Sequence, residues 1–360
     1  MPSRRPAARL AHLALRAAAW SILAAWLLGL ALSDRFTWSQ FLAWIPSPIA
    51  LAAAAALVAL AVPLAPRRDR APHRARFLLP AALLTALLYM LLVQWRYPTF
   101  PITHAPAHLR VIHWNASMNI REGWHSTILD HHPDLLLINP ASYQPWDDIR
   151  AAFDGHTILH FHGFAVFSRL PVARYAYLPL GITPGAGLDL REPDALRRHV
   201  DTGRALILEL DTAGSPLGAP LVVWWLDLPS DISLHRRRVT AQASETLARF
   251  TGPWFVRHPD GSYARVSHSS HAPPPDLVIG DLNIPRGSFS LASLTQGLTN
   301  AHTLAGAGPA FSYPRELPLW HLDQAFVHPR LAVTDYRVFD PGQGTHRAQS
   351  LDLRAAAPTR

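Results

Sequence analysis

In "DLVIGDLNIP" (Asp276–Pro285) a short apolar run, Leu277 to Ile279, stops at Gly280, and Asp281 and Asn283 follow on alternate positions. In extended backbone both side chains then face the same way. A carboxylate and a carboxamide are thus held together where an apolar strand ends. Four other polar residues stand at comparable places. Asn115 closes "RVIHWN", Asp227 closes "VVWWLD", Asp323 lies in "WHLDQAFV", and His346 lies in "GTHRAQ". Carboxylate and amide oxygens at strand ends are the ligands a hard cation such as Mg²⁺ accepts. A histidine near an aspartate is an oriented base or a cation for a phosphate. Far apart in sequence, these groups converge only if their strands share one sheet edge.

The elements that must position them are short runs bounded by turn residues. "LRVIHWNAS", "DLLLIN", "GFAVFSR", "RALILEL", "PLVVWWLDL", "DLVIGDL" and "LDQAFVH" read as strands. Adjacent Trp224 and Trp225 pack on opposite faces of one of them. "SLHRRRVTAQASETLARF" (Ser233–Phe250) reads as a helix, with Val239, Ala243, Leu247 and Phe250 on one face. "HSTILDHHPD" is a shorter helix candidate. Strands outnumber helices and alternate with them only in part, which favours an α+β sandwich over a doubly wound sheet. Gly181–Gly203 reads as a rim loop carrying Arg197 and Arg198.

Before this domain lie three apolar stretches, at residues 10–32, 41–64 and 77–95. Each supplies the roughly 20 apolar residues that cross a bilayer, and Pro46 and Pro48 make the second the weakest. We therefore expect a transmembrane anchor over 1–96, a Pro-rich linker over 97–108, the main domain over 109–354 and a tail over 355–360. The loop "PRRDRAPHRAR" carries five Arg against one Asp. By the positive-inside tendency it lies with the N-terminus in the cytoplasm, and three spans place the domain on the outer side.

The chain has 33 Arg, no Lys and 25 acidic residues, of which twelve Arg and two acids precede or include Arg110; the remainder carries 21 Arg against 23 acids. The cationic excess thus belongs to the anchor and its flanks. The main domain is not a basic body built to grip a nucleic-acid backbone. With no cysteine, the chain neither needs nor reports an oxidising compartment.

Taken in order, these pieces resemble the endonuclease/exonuclease/phosphatase superfamily of metal-dependent, DNase I-like phosphoesterases, over roughly Leu109 to Leu353. "RVIHWNAS" resembles the family's opening strand and its Asn. "HPDLLLINPASY" is similar to its P-D-[VI]-[VI]-x-L-Q-E strand, and "GFAVFSRLPV" to its S-R-x-P hairpin. "VVWWLDLPS" resembles its H-L-x-S strand, "VIGDLNIP" its G-D-[FL]-N motif, and "FSYPRELPLWHLDQAFV" its T-[FY]-P … I-D segment. "GTHRAQSLDL" stands at its S-D-H-x-P. The resemblance implies a four-layer αββα sandwich with the site at one edge of two sheets. It implies Asn115 and Asp281 near a metal, Asn283 steadying phosphoryl oxygens, and His346, held by Asp323, at the scissile phosphate. Asp227 would stand where the family places a substrate-facing His.

Three positions depart from the pattern. The family's metal-binding Glu falls on Pro140, the Asp before the last His is Thr345, and the first catalytic His is Asp227. Losing the main carboxylate weakens a Mg²⁺ site, because this ion relies on one or two carboxylates plus waters. The first expectation is a non-catalytic or much-weakened descendant whose cleft persists as a binding or scaffolding surface. The alternative is an active phosphodiesterase or phosphatase with a rebuilt Mg²⁺ or Mn²⁺ site on lipid head groups, nucleotides or envelope phosphodiesters. A third reading needs no cofactor and uses His346 as base. The expected partners are the membrane and a small phosphoester or lipid head group, and nucleic acid is disfavoured.

Overall fold

The computed structural model describes residues 5–65, 73–97, 106–116, 123–140, 147–182, 201–266 and 270–357. Arg197 and Arg198, most of the Arg-rich loop and most of the linker lie outside the described residues. The chain forms two compact units, Met1–Pro98 and Thr99–Arg360.

The first unit is helical. It comprises α1 (Arg5–Leu32), α2 (Thr37–Ala43), α3 (Ser47–Ala61, extended by a 3₁₀ turn to Leu64) and α4 (His73–Tyr89, extended by a π turn to Gln94). Among the described residues three stretches are long and apolar enough to span a bilayer: Pro6–Leu32, Ser47–Leu64 and Phe77–Gln94. The stretch expected as one span over 41–64 is divided, with α2 separate and the span starting at Ser47. Proline explains the break. Pro46 caps α3 in extended backbone, and Pro48 sits in the first turn, where its missing N–H costs nothing. Leu23 and Trp26 of α1 pack with Leu51 and Ala54 of α3 and with Leu79 of α4. The outward faces keep exposed leucines such as Leu13, Leu27, Leu84 and Leu92.

The second unit holds two sheets. One has six strands: β1 (Leu109–Asn115), β2 (Leu135–Asn139), β3 (Thr157–Phe161), β4 (Phe164–Ser168), β13 (Leu331–Phe339) and β14 (Ala348–Ala355), in the order β13-β14-β1-β2-β4-β3. The other has eight: β5 (Val172–Pro179), β6 (Arg204–Leu210), β7 (Leu221–Asp227), β8 (Trp254–Arg257), β9 (Tyr263–Val266), β10 (Leu277–Asp281), β11 (Thr299–Asn300) and β12 (Asp323–Val327), in the order β11-β12-β10-β7-β6-β5-β8-β9. Short helices α5 (Trp124–Leu129) and α6 (Asp147–Ala152) cover the outer face of the first sheet; α7 (Arg236–Arg249) and a 3₁₀ turn (Phe289–Ser293) cover that of the second. This is the expected four-layer αββα sandwich.

The period-2 alternation of the strands builds the layers. Val111, Leu137, Val223, Trp225, Leu277 and Ile279 fill the space between the sheets. Ile112, Trp114 and Ile138 face α5 and α6. Val278 and Leu226 face α7, whose Val239, Ala243 and Leu247 are buried as the sequence spacing predicts. Carried one step further along each strand, the inward register ends in polar residues. Beyond Val111 come His113 and Asn115; beyond Trp225 comes Asp227; beyond Ile279 comes Asp281.

Gly280 allows the closest approach. Its φ is +148°, and a Cβ there would stand 1.8 Å from the Leu226 carbonyl oxygen. Only glycine lets β10 lie this close to β7 while turning Asp281 inward.

Candidate active site

The last inward residues of neighbouring strands form one row along the rim of the eight-stranded sheet. Arg204 pairs in register with Asp227, Asp227 with Asp281, and Asp281 with Asp323. On the facing sheet Asn115 is in register with Asn139. His346 enters from the connection between β13 and β14. The structure therefore brings together Asn115, Asp227, Asp281, Asn283, Asp323 and His346.

His346 Nδ1 lies 2.7 Å from Asp323 Oδ2 and 3.7 Å from Asp281 Oδ2. Among the described residues no hydrogen bond engages its Nε2. The Tyr313 ring lies 4.7 Å from the imidazole, centre to centre. The His346 carbonyl accepts from Trp114 Nε1 at 3.1 Å, which anchors the loop to β1. Ser312 Oγ accepts the Asp323 N–H at 3.0 Å.

Asp281 is tied on both oxygens. Asn115 Nδ2 donates to Oδ2 at 2.7 Å, and the Asn283 N–H donates to Oδ1 at 2.9 Å. Asn283 itself has φ +49° and gives its Nδ2 to the Leu228 carbonyl at 2.8 Å. Its amide nitrogen thus gives one of its two N–H groups to the frame. At the far end Arg204 donates from Nε to Asp227 Oδ2 at 2.8 Å, with Nη2 2.6 Å from the same oxygen. The Arg204 Cζ lies 5.4 Å from the centre of the Phe164 ring.

Beneath this row lies a buried polar chain that sequence reasoning missed. Gln349 Nε2 donates to the Gln324 carbonyl and to His113 Nδ1, at 3.3 and 3.1 Å. His113 Nδ1 is then an acceptor, so its proton sits on Nε2 and is given to Asn139 Oδ1 at 3.0 Å. Tyr336 donates its hydroxyl to Gln349 Oε1. Asp323 Oδ1 lies 3.8 Å from that acceptor nitrogen and is a buried oxygen without a hydrogen bond. The signal for His113 was its place two residues before Asn115 on the inward register. Arg204 was equally readable as the charged residue that opens an apolar strand.

Three carboxylates face two cationic side chains, so the row holds one negative charge too many. Burial, then the charge of Asp323, pushes Asp281 up to about 7. Burial works against the charged imidazole of His346, but Asp323 and Asp281 outweigh it and raise it to about 9. Asp323 is held below the usual range, because the His346 charge and hydrogen bond outweigh its burial. Burial also raises Asp227, opposed by Arg204. At neutral pH the surplus charge is thus partly met by a proton on Asp281.

A two-sheet αββα sandwich with a His–Asp pair and a G-D-x-N turn at one rim defines the phosphoesterase class of fold. The endonuclease/exonuclease/phosphatase family matches residues 112–346, and the chain belongs to that family. It is similar to an endonuclease/exonuclease/phosphatase family protein of Bacteroides thetaiotaomicron at 13% identity, covering 70% of this chain and 96% of that one with a TM-score of 0.47. A mannosyl-6-phosphatase of the same species is 13% identical over 68% of this chain and 99% of its own, TM-score 0.47. TDP2 of D. rerio, solved with a single-strand DNA product, is 14% identical over 69% and 99%, TM-score 0.44. Among curated proteins none matches.

The family is generally metal-dependent, and the donor set here tests whether a cation fits. At the end of β2 stand Asn139 and Pro140. Asn139 Oδ1 is taken by His113, and its buried Nδ2, a donor, is turned to the Asp227 carboxylate without closing a hydrogen bond of normal length. Neither side chain offers an oxygen to a cation, and the Asn115 amide turns its N–H to Asp281. The end of β2 thus supplies no carboxylate, whereas a Mg²⁺ site relies on one or two carboxylates plus waters. A different trio exists: Asp281, Asp323 and His346 offer ligand atoms within 4.8 Å of one another. Two of those atoms are bonded to each other across 2.7 Å.

Proposed function

We propose that the protein is a membrane-anchored endonuclease/exonuclease/phosphatase-family domain whose cleft binds a phosphoester group and has lost most of the family's metal-assisted turnover. The observation that carries this reading is the rim itself. His346 is fixed by Asp323 through Nδ1, with Nε2 unengaged among the described residues, while β2 ends in a donor amide and a proline. An imidazolium at that place donates to a phosphoryl oxygen, with Asn283 beside it and Asp227 occupied by Arg204. Affinity for the phosphoester survives on these groups. The step that needs a cation to carry developing charge loses its support.

The positive-inside asymmetry supports a cytoplasmic N-terminus and an outer-side domain. That placement, with the acid excess of the main domain, favours small phosphoesters or lipid head groups over nucleic acid.

A second reading, an active hydrolase with a rebuilt cation site, is favoured by the compactness of the Asp281, Asp323 and His346 trio. Calorimetry of Mg²⁺ and Mn²⁺ on the full chain in detergent, paired with hydrolysis of bis(p-nitrophenyl) phosphate, separates the two. We expect no saturable heat at millimolar metal and turnover near background. Metal binding and turnover that both vanish in Asp281→Ala would establish the second reading instead.

A further inference from the structure

Among the described residues of the second unit, five large apolar side chains are exposed, and four of them lie on loops that run from or into the strand ends of the site. Ile232 (59% exposed) follows Asp227 on the way to α7, and Phe289 (41%) follows Asn283. Tyr313 (36%) and Leu317 (69%) lie on the loop that runs into Asp323. The loops are tied together. The Arg286 N–H donates to the His321 carbonyl at 3.2 Å, and the Arg315 N–H donates to the Thr345 carbonyl at 2.7 Å. The start of α7 adds exposed Arg237 and Arg238, with the Arg237 Cζ 5.9 Å from the centre of the Phe289 ring. The described loops at the opposite ends of the same strands expose no large apolar side chain.

Scattered exposed leucines need no explanation, but apolar groups gathered at the mouth of a site do. Apolar tips interleaved with arginine match the bilayer interface, where the tips meet acyl chains and the guanidinium groups meet lipid phosphates. A soluble protein partner would need neither a phosphoester site at the centre of the patch nor three candidate spans in the same chain. We propose that this rim docks on the bilayer that carries the chain, so that the phosphoester meeting His346 is the head group of a membrane lipid. The proposal rests on the reading of the cleft as a phosphoester site.

The chain has no cysteine, so single labels can be placed without background. The full chain is reconstituted in nanodiscs of phosphatidylcholine and phosphatidylglycerol that carry nitroxides on the acyl chains. An NBD label is placed at Phe289→Cys, at Leu317→Cys and, at the opposite end of the sandwich, at Asp260→Cys. We expect the two rim labels to shift to the blue and lose most of their emission to the nitroxide, and the third to stay bright. Rim labels as bright as the one at residue 260 overturn the proposal, whether the rim faces water or another protein covers it. Leu317→Cys, on an exposed loop, keeps the test if the Phe289 variant fails to fold. Binding of glycerol 3-phosphate, measured in parallel, tests the reading of the cleft separately. If His346→Gln weakens that binding while the rim labels stay bright, docking alone fails. If the full chain binds no glycerol 3-phosphate, the cleft reading fails and the head-group assignment falls with it.

Discussion

Asn115 Nδ2 donates to Asp281 Oδ2 across 2.7 Å, joining the last residues of two strands that belong to different sheets. This bond closes the sandwich at the rim where the chemistry sits. It also shows what the asparagine does here: it feeds a donor to a buried carboxylate. Asn115→Leu removes that donor, and the orphaned carboxylate should cost about 1–3 kcal/mol in chemical unfolding of the full chain. Asn115→Leu combined with Asp281→Asn should recover part of the loss, because the second change removes the charge left unpaired.

The end of β2 is the place to restore an oxygen. Pro140→Glu places a carboxylate beside Asn115, where the end of β2 supplies none. Mn²⁺ affinity should rise at least about tenfold, equivalent to about 1.4 kcal/mol, as read by the loss of the free-ion EPR signal. An unchanged titration would mean that the missing carboxylate is not what keeps a cation out.

The rim predicts how stability depends on pH. Asp281 titrates near 7 when folded against 3.8 for an unperturbed aspartate, so its contribution is full below 3.8 and is lost as pH rises through 7. His346, at about 9 against 6.5, loses its contribution between those values as pH rises. Asp323 runs the other way and loses stability as pH falls through its depressed value. The melting temperature should therefore decline between about pH 7 and pH 9; below 6.5 the Asp281 part, no more than about 4 kcal/mol, is opposed by buried His113 and His321, whose lowered values cost stability as pH falls. Asp281→Asn should make the melting temperature rise more steeply with pH between 4 and 6.5 and shrink the decline above it, because Asp281 helps to raise His346, as followed by thermal melts in matched buffers.

The Arg204–Asp227 pair offers a double-mutant cycle. Both are partly shielded, with side-chain exposures of 31% and 14%. Arg204→Leu leaves a buried carboxylate unpaired and should cost about 2 kcal/mol, below the 3–5 kcal/mol of a fully buried pair because water still reaches the guanidinium. Asp227→Leu added to it should return most of that, as measured by denaturant midpoints at constant slope.

Much of this was legible before any coordinates. The order of motifs from "RVIHWN" to "GTHRAQ" implied the sandwich, and Asn115, Asp281, Asp323 and His346 do meet at its rim. The strands missed, such as β5, β8 and β13, are less uniformly apolar, because edge strands and partly exposed faces blur the alternation. The second candidate stretch begins at Ser47 rather than at 41, because Pro46 in extended backbone caps α3 and Pro48 sits in its first turn.

Sequence by itself determined which side chains reach the rim. A strand that alternates inward and outward must end its apolar register on whatever residue comes next, and here that residue is Asn115, Asp227 or Asp281. It also determined the apolar lengths that can cross a bilayer. Only the tertiary structure decided the pairings: Asn115 with Asp281, Arg204 with Asp227, His113 with Asn139, and the gathering of Ile232, Phe289, Tyr313 and Leu317 around one mouth. Those contacts form between strands and loops that no local pattern links. They depend on how two sheets stack and how strands neighbour one another, and on a glycine at 280 that lets two backbones touch.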